Sequence, residues 1–222
     1  MKRLLLYSLL VVSAMLTIPC NSPAWGKLRS AEKSNLTVCV MNDVGVGEEE
    51  VKKVEERVGG IFAESGVHVR WVQGGDPNRT VDERYACGHP EPYRTLVVRW
   101  MSDAKNAPPN ELGQTFLDEK GLGVVADVFM TRVARLVGER EANFVALLSY
   151  VTAHEIGHLL LGLESHAASG VMRAKINEDA LTRMGQGMTE FTNDQQKRMK
   201  VHIRSAEVAA MVAETMQARA GR

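Results

Sequence analysis

The fold is decided by the stretch EANFVALLSYVTAHEIGHLLLGLESHAASGVMR, residues 141–173. From residue 141 to residue 161 the stretch is apolar nearly all round, which predicts a helix that is buried on most of its faces. Within this apolar run stand His154, Glu155 and His158. A buried helix with titratable groups at this spacing indicates a functional site.

Two histidines four residues apart project from the same face of a helix, which is the spacing at which two imidazoles reach one zinc ion. They continue the stripe of Leu147 and Val151, so they face the interior, where unsatisfied imidazoles would be costly. Zinc held by His154 and His158 would satisfy them, and Glu155 would then be placed to take a proton from water at the metal. The alternative is a helix whose histidines are satisfied by backbone or carboxylate groups.

A zinc site needs a third protein ligand, which has to come from the chain after the helix. Gly162 allows a sharp turn, and His166 follows four residues later, with its neutral imidazole suited to zinc. A second tight element, Ser169-Gly170-Val171-Met172, comes next. The sequence therefore predicts that His166 is the third ligand.

This run resembles the metzincin zinc proteases, and within them the matrixins, which carry two helical histidines, a glycine, a third histidine and a methionine turn. Residues 154–173 are also similar to the corresponding run of secreted bacterial zinc proteases of the metzincin type. The resemblance implies peptide-bond hydrolysis at a zinc ion, with Glu155 as the general base and Met172 in the methionine turn below the metal. It also implies an extended peptide or protein substrate that pairs with an edge strand near residues 112–117.

The spacing departs from the metzincin pattern, and this leaves two competitors for the third ligand. Gly162 lies four residues after the second histidine instead of three, and His166 lies four residues after Gly162. Glu164 occupies the strict metzincin position, and a carboxylate can bind zinc. Glu178, twenty residues after the second histidine, has the spacing of the glutamate ligand in thermolysin-like enzymes.

The rest of the chain predicts a fold between α/β and α+β, with a small twisted mixed sheet. Strands are expected at residues 36–42, 67–72, 95–100, 112–117 and 124–130, the fourth of them at an edge. A helix over residues 48–64 joins the first two strands, which makes a right-handed βαβ unit. Residues 73–93 are expected to form an ordered loop. After the methionine turn, Thr192 and Gln195 form a capping box that opens a long terminal helix.

The N-terminus predicts a secretory signal peptide over residues 1–24 and a single domain over residues 25–222. Lys2 and Arg3 precede an apolar run, and Ser22-Pro23-Ala24 supplies small residues for cleavage. An uncleaved anchor is the alternative. Export to the periplasm or the medium predicts a disulfide between Cys39 and Cys87, with two buried thiols as the alternative.

Composition excludes some classes of partner. Lys and Arg number 27, as do Asp and Glu, so the chain lacks the basic charge of a general nucleic-acid binder. No stable membrane insertion is expected after signal cleavage, and the sequence indicates no oligomeric state. Three functions are open: an active secreted zinc endopeptidase, a zinc-binding protein of the same scaffold without turnover, and a metal-free partner-binding domain.

Overall fold

The computed structural model describes residues 34–74, 80–140, 143–162 and 164–220, so the predicted signal peptide lies outside the described residues. Within these ranges, strands of one sheet lie in the order β2-β1-β3-β5-β4. They are β1 (Ser34–Asn42), β2 (Val67–Gln73), β3 (Thr95–Met101), β4 (Gly113–Phe116) and β5 (Val125–Phe129). All neighbouring pairs are parallel except β4 and β5, which are antiparallel. The predicted mixed sheet is confirmed, with β4 at its edge.

The helices of the described chain include those that the sequence predicts and three more. They are α1 (Glu48–Glu64), α2 (Val81–Gly88), α3 (Met130–Arg140), α4 (Phe144–Leu161), α5 (Glu178–Gly185) and α6 (Asn193–Ala220). Helix α2 corrects the prediction of a loop over residues 73–93. Its start is fixed by a capping box in which Thr80 and Glu83 each accept a hydrogen bond from the other's backbone N–H.

The first half of the fold follows from alternation along β1. Leu36, Val38 and Val40 are fully buried and, at a spacing of two, point to one face of the strand. They belong to the same core as Val54 and Val58, two buried residues of α1. Strands β1 and β2 are parallel and flank α1 in sequence, as the predicted βαβ unit requires.

Helix α4 is the central helix of the core. Asn143 caps its start by accepting a hydrogen bond from the N–H of Ala146 at 2.9 Å. On the sheet side, Trp100 of β3 donates its indole N–H to the hydroxyl of Thr152 at 3.3 Å. By length and composition α4 could cross a membrane, yet 78% of it is buried inside the protein, as in the core helix of a soluble domain.

A disulfide joins Cys39 of β1 to Cys87 of α2, with the two Cα atoms 5.7 Å apart. Cys39 is fully buried and, because side chains alternate along a strand, points away from the face that packs on α1. The bridge therefore attaches α2 to the opposite face of the sheet.

Arg132 holds the segment that leads into β4. Its guanidinium is buried and donates to the carboxylate of Asp103 at 2.7 Å and to the carbonyl oxygens of Pro108 and Glu111. A guanidinium offers five donors in a rigid fork, which suits it to collect several acceptors from one loop. These hydrogen bonds hold the loop before β4 in one conformation.

Candidate metal centre

The C-terminal half of α4 carries the two predicted helical ligands. His154 and His158 are half-buried, and their Nε2 atoms lie 3.1 Å apart. Two nitrogens bound tetrahedrally to zinc, each at about 2.0–2.1 Å, are about 3.3 Å from one another. The observed separation is therefore close to that of two ligands of one zinc ion.

A turn after α4 brings His166 to the same place. Gly162 has a φ of +84°, a conformation that other residues rarely adopt, so the helix ends there and the chain reverses. The ring of His166 lies 5.4 Å from that of His154 and 4.8 Å from that of His158, measured between centroids. One nitrogen from each of the three rings lies within 4.8 Å of the other two.

The competing glutamates lie outside this group. Glu164 is exposed in the turn, and Glu178 is exposed at the first residue of α5. Among the described His, Cys, Asp and Glu side chains, His154, His158 and His166 form the group whose ligand atoms could hold one metal ion. The geometry favours His166 over either glutamate, while ligation itself stays a prediction.

Hydrogen bonds orient the two helical imidazoles. Nδ1 of His154 lies 2.8 Å from the carbonyl oxygen of Val171, which accepts only, so Nδ1 carries the proton and Nε2 keeps its lone pair. Nδ1 of His158 lies 2.8 Å from the hydroxyl of buried Ser165, whose own carbonyl accepts from Gln195 of α6 at 2.9 Å. Such outer contacts fix imidazoles for metal binding.

Met172 is fully buried against the same helix. A Cβ built on Gly157 would collide with its sulfur, so the glycine of the HEIGH motif allows Met172 to pack directly on α4. The N–H of Ala167 donates to the carbonyl of Met172 at 2.8 Å, which closes the loop between them. The predicted methionine turn is thus a closed loop that starts next to His166.

Glu155 is 6% exposed and points toward the edge strand. Its Oε2 accepts a hydrogen bond from the hydroxyl of Thr115 at 2.7 Å. Burial raises the pKa of Glu155 to about 7, the bond from Thr115 opposes this rise, and the charges of Glu111 and Asp127 add to it. A carboxyl with a pKa near neutrality can both take up and release a proton at physiological pH.

The imidazoles are shifted in the opposite direction. In the metal-free protein, burial lowers the pKa of His154 to about 4, and burial with the charge of His154 lowers the pKa of His158 to about 4. Both rings are therefore neutral at pH 7, the form in which histidine binds a metal.

A cavity of about 300 Å³ lies between the methionine turn and α5, and its lining includes none of the three histidines. Tyr150, one helical turn before His154 and with its ring 6.1 Å from the ring of His154, forms part of the wall. Ser169, Arg173 and Arg183 line it as well. The cavity is large enough for an amino-acid side chain.

The sequence did not single out Thr115, Ser165 or Gln195, which the structure places around the site. The sequence marks Gln195 only as the partner of Thr192 in a capping box, and the structure confirms that box. Nothing local in the sequence marks Thr115 or Ser165, because their partners lie on other elements.

No family model matches the sequence, and no curated protein is similar to it at a significant level. Among solved structures, archaemetzincin from Methanopyrus kandleri is similar with a TM-score of 0.44 and 18% identity, over 77% of this chain and 97% of that one. Metalloproteinase-II from Bacteroides fragilis gives a TM-score of 0.44 and 16% identity, over 78% of this chain and 54% of that one. This chain thus spans about half the length of the Bacteroides protein.

Proposed function

We propose that this protein is a secreted zinc-dependent endopeptidase of matrixin-like metzincin type. The observation that carries the proposal is the group of three histidines with the buried carboxyl of Glu155 next to it in sequence. His154, His158 and His166 would hold the zinc, and a set of three imidazoles leaves one position open, as in catalytic zinc sites. The order of HEIGH, Gly162, His166 and Met172 supports the relation to metzincins.

The zinc ion and Glu155 would have separate roles in peptide hydrolysis. Zinc at this position would lower the pKa of a bound water and polarise the scissile carbonyl. Glu155 would accept the proton of the attacking water and pass it to the leaving amine.

The edge strand offers a place for the substrate. Among the described residues β4 pairs with β5 alone, so its other side could take up an extended peptide. The predicted signal peptide and the disulfide between Cys39 and Cys87 support secretion.

The test compares wild type with Glu155→Gln and His154→Ala. We expect Glu155→Gln to keep its zinc, measured by elemental analysis, and to lose hydrolysis of a broad peptide library by about two to four orders of magnitude. His154→Ala should lose zinc and activity together. If Glu155→Gln loses zinc to the same degree, the role of general base assigned to Glu155 is wrong. If the zinc-loaded wild type cleaves no peptide, the protein is a zinc-binding protein without turnover.

A further inference from the structure

Strand β4 contacts the predicted general base at two positions, Gly113 and Thr115. They lie two residues apart, so they share the face of the strand that packs on α4. Both are close to the carboxyl group of Glu155. The strand that we expect to pair with the substrate is therefore also the one that touches the base.

The contact at Thr115 is a directed hydrogen bond. Its Oγ1 lies 2.7 Å from Oε2 of Glu155 and 3.2 Å from the backbone carbonyl oxygen of the same residue. A hydroxyl has one hydrogen to donate, and the shorter distance assigns it to the carboxyl oxygen. This bond fixes the side chain of Glu155 in one orientation. It occupies Oε2, so Oε1 is the carboxyl oxygen that does not take part in this bond.

Gly113 lies so close to Glu155 that only the absence of a side chain leaves room for the carboxyl group. A Cβ at this position would lie 2.7 Å from Oε1 and 2.8 Å from Cδ of Glu155, and 2.7 Å from the carbonyl oxygen of Asp127. These separations are shorter than real Cβ contacts, so any side chain here would displace the carboxyl group or the strand. Gly113 does not have a positive φ, so the need for glycine comes from the neighbouring atoms.

We infer that Thr115 is a positioning residue for Glu155, and that Gly113 leaves the space in which the carboxyl group is held. The inference rests on the proposed function. A general base acts only when its oxygen is within hydrogen-bond reach of the proton that it takes, so a carboxyl group free to rotate would lose part of its effect. Both contacts come from the edge strand. A substrate that pairs with β4 would therefore bind beside a general base whose orientation that strand already fixes.

The test uses the zinc-loaded protein in wild-type form and as Thr115→Val, Thr115→Ser and Gly113→Ala. Valine keeps the shape of threonine without the hydroxyl, and serine keeps the hydroxyl. Thr95→Val makes the same chemical change in β3 and serves as the matched control. For each protein, zinc content, the midpoint of thermal unfolding, and kcat and KM on a fluorogenic peptide are measured.

We expect Thr115→Val to retain zinc and to lower kcat by about tenfold to a hundredfold, with KM within about threefold of wild type. Gly113→Ala should also lower kcat, and its midpoint of thermal unfolding should fall, because the Cβ would meet the carbonyl oxygen of Asp127 in β5 as well as the carboxyl group. Thr115→Ser and Thr95→Val should keep kcat within about threefold. This separation of kcat from KM, with rescue by serine, would not arise if Thr115 only joined the strand to the helix.

Several results would overturn the inference. An active wild type whose Thr115→Val variant keeps its kcat would refute it and leave the proposed function intact. The same holds if Thr115→Ser is as slow as Thr115→Val, or if Thr115→Val loses zinc, since the role would then be structural. A zinc-loaded wild type with no hydrolysis would instead overturn the proposed function and this inference with it.

Discussion

Replacing His166 with alanine is the sharpest test of the metal centre, because this is where the sequence departs from the metzincin pattern. His166 is exposed, and the orientation of the other two imidazoles depends on Val171 and Ser165. We therefore expect His166→Ala to stay folded and to lose only the contribution of its own ligand. Groups that merely orient ligands contribute about tenfold to a hundredfold in affinity, so the loss should be at least about tenfold, or about 1.4 kcal/mol.

Zinc affinity is measured by competition with a chelator at pH 7.5, where the lowered pKa of His154 and His158 keeps protons from competing. Glu164→Ala and Glu178→Ala are the controls and should bind zinc as wild type does. A folded His166→Ala protein with unchanged affinity would refute the assignment. Whichever glutamate variant then lost zinc would identify the ligand.

Three further outcomes follow from the structure. Replacing Cys39 and Cys87 with serine should lower the free energy of unfolding by about 4 kcal/mol in the chain-entropy model, because the bridge spans 48 residues. An unchanged midpoint of urea unfolding would contradict this. Ser165→Ala should weaken zinc binding by about tenfold, because the Nδ1 atom of His158 loses its partner, and equal affinity in the chelator assay would argue against that role. In the chelated protein the folded pKa of His154 and His158, about 4, lies below the unfolded value of 6.5, so the unfolded state binds more protons between these values. Glu155 acts in the opposite direction, because its folded pKa of about 7 lies above the unfolded value of 4.5, and it offsets one of the two histidines between pH 4.5 and 6.5. Stability should therefore still fall from about pH 6.5 toward pH 4, and urea midpoints that do not change over this range would exclude it.

The elements that the sequence predicts well are those with strong local patterns. Helix α1 has the predicted bounds, because valines at helical spacing follow three acidic residues at its start. Helix α6 begins after Thr192, as its capping box requires. The short helix α2 is not predicted, although Thr80 and Glu83 form the same kind of box, because cysteine, glycine and proline around it favour a loop.

Helix α3 is not predicted either, for a different reason. It begins at Met130, directly after the last residue of β5, with no intervening turn to mark its start. Helix α5 is eight residues long and begins after Asn177, whose side chain accepts a hydrogen bond from Ala180. Short helices of this kind depend on the packing of their few buried residues more than on their own propensity.

The chemistry of α4 follows from the sequence alone: two histidines on one face, a carboxyl group beside them and a glycine at which the helix ends. These features depend on residues within a few positions of one another, since the period of a helix sets which side chains share a face. The groups that surround them come from distant parts of the chain and depend on tertiary packing. The hydroxyl of Thr115 reaches Glu155 from 40 residues away, and Ser165 is held by Gln195 from another helix. Such contacts exist only once β4 and α6 have packed against α4, and no local pattern records them.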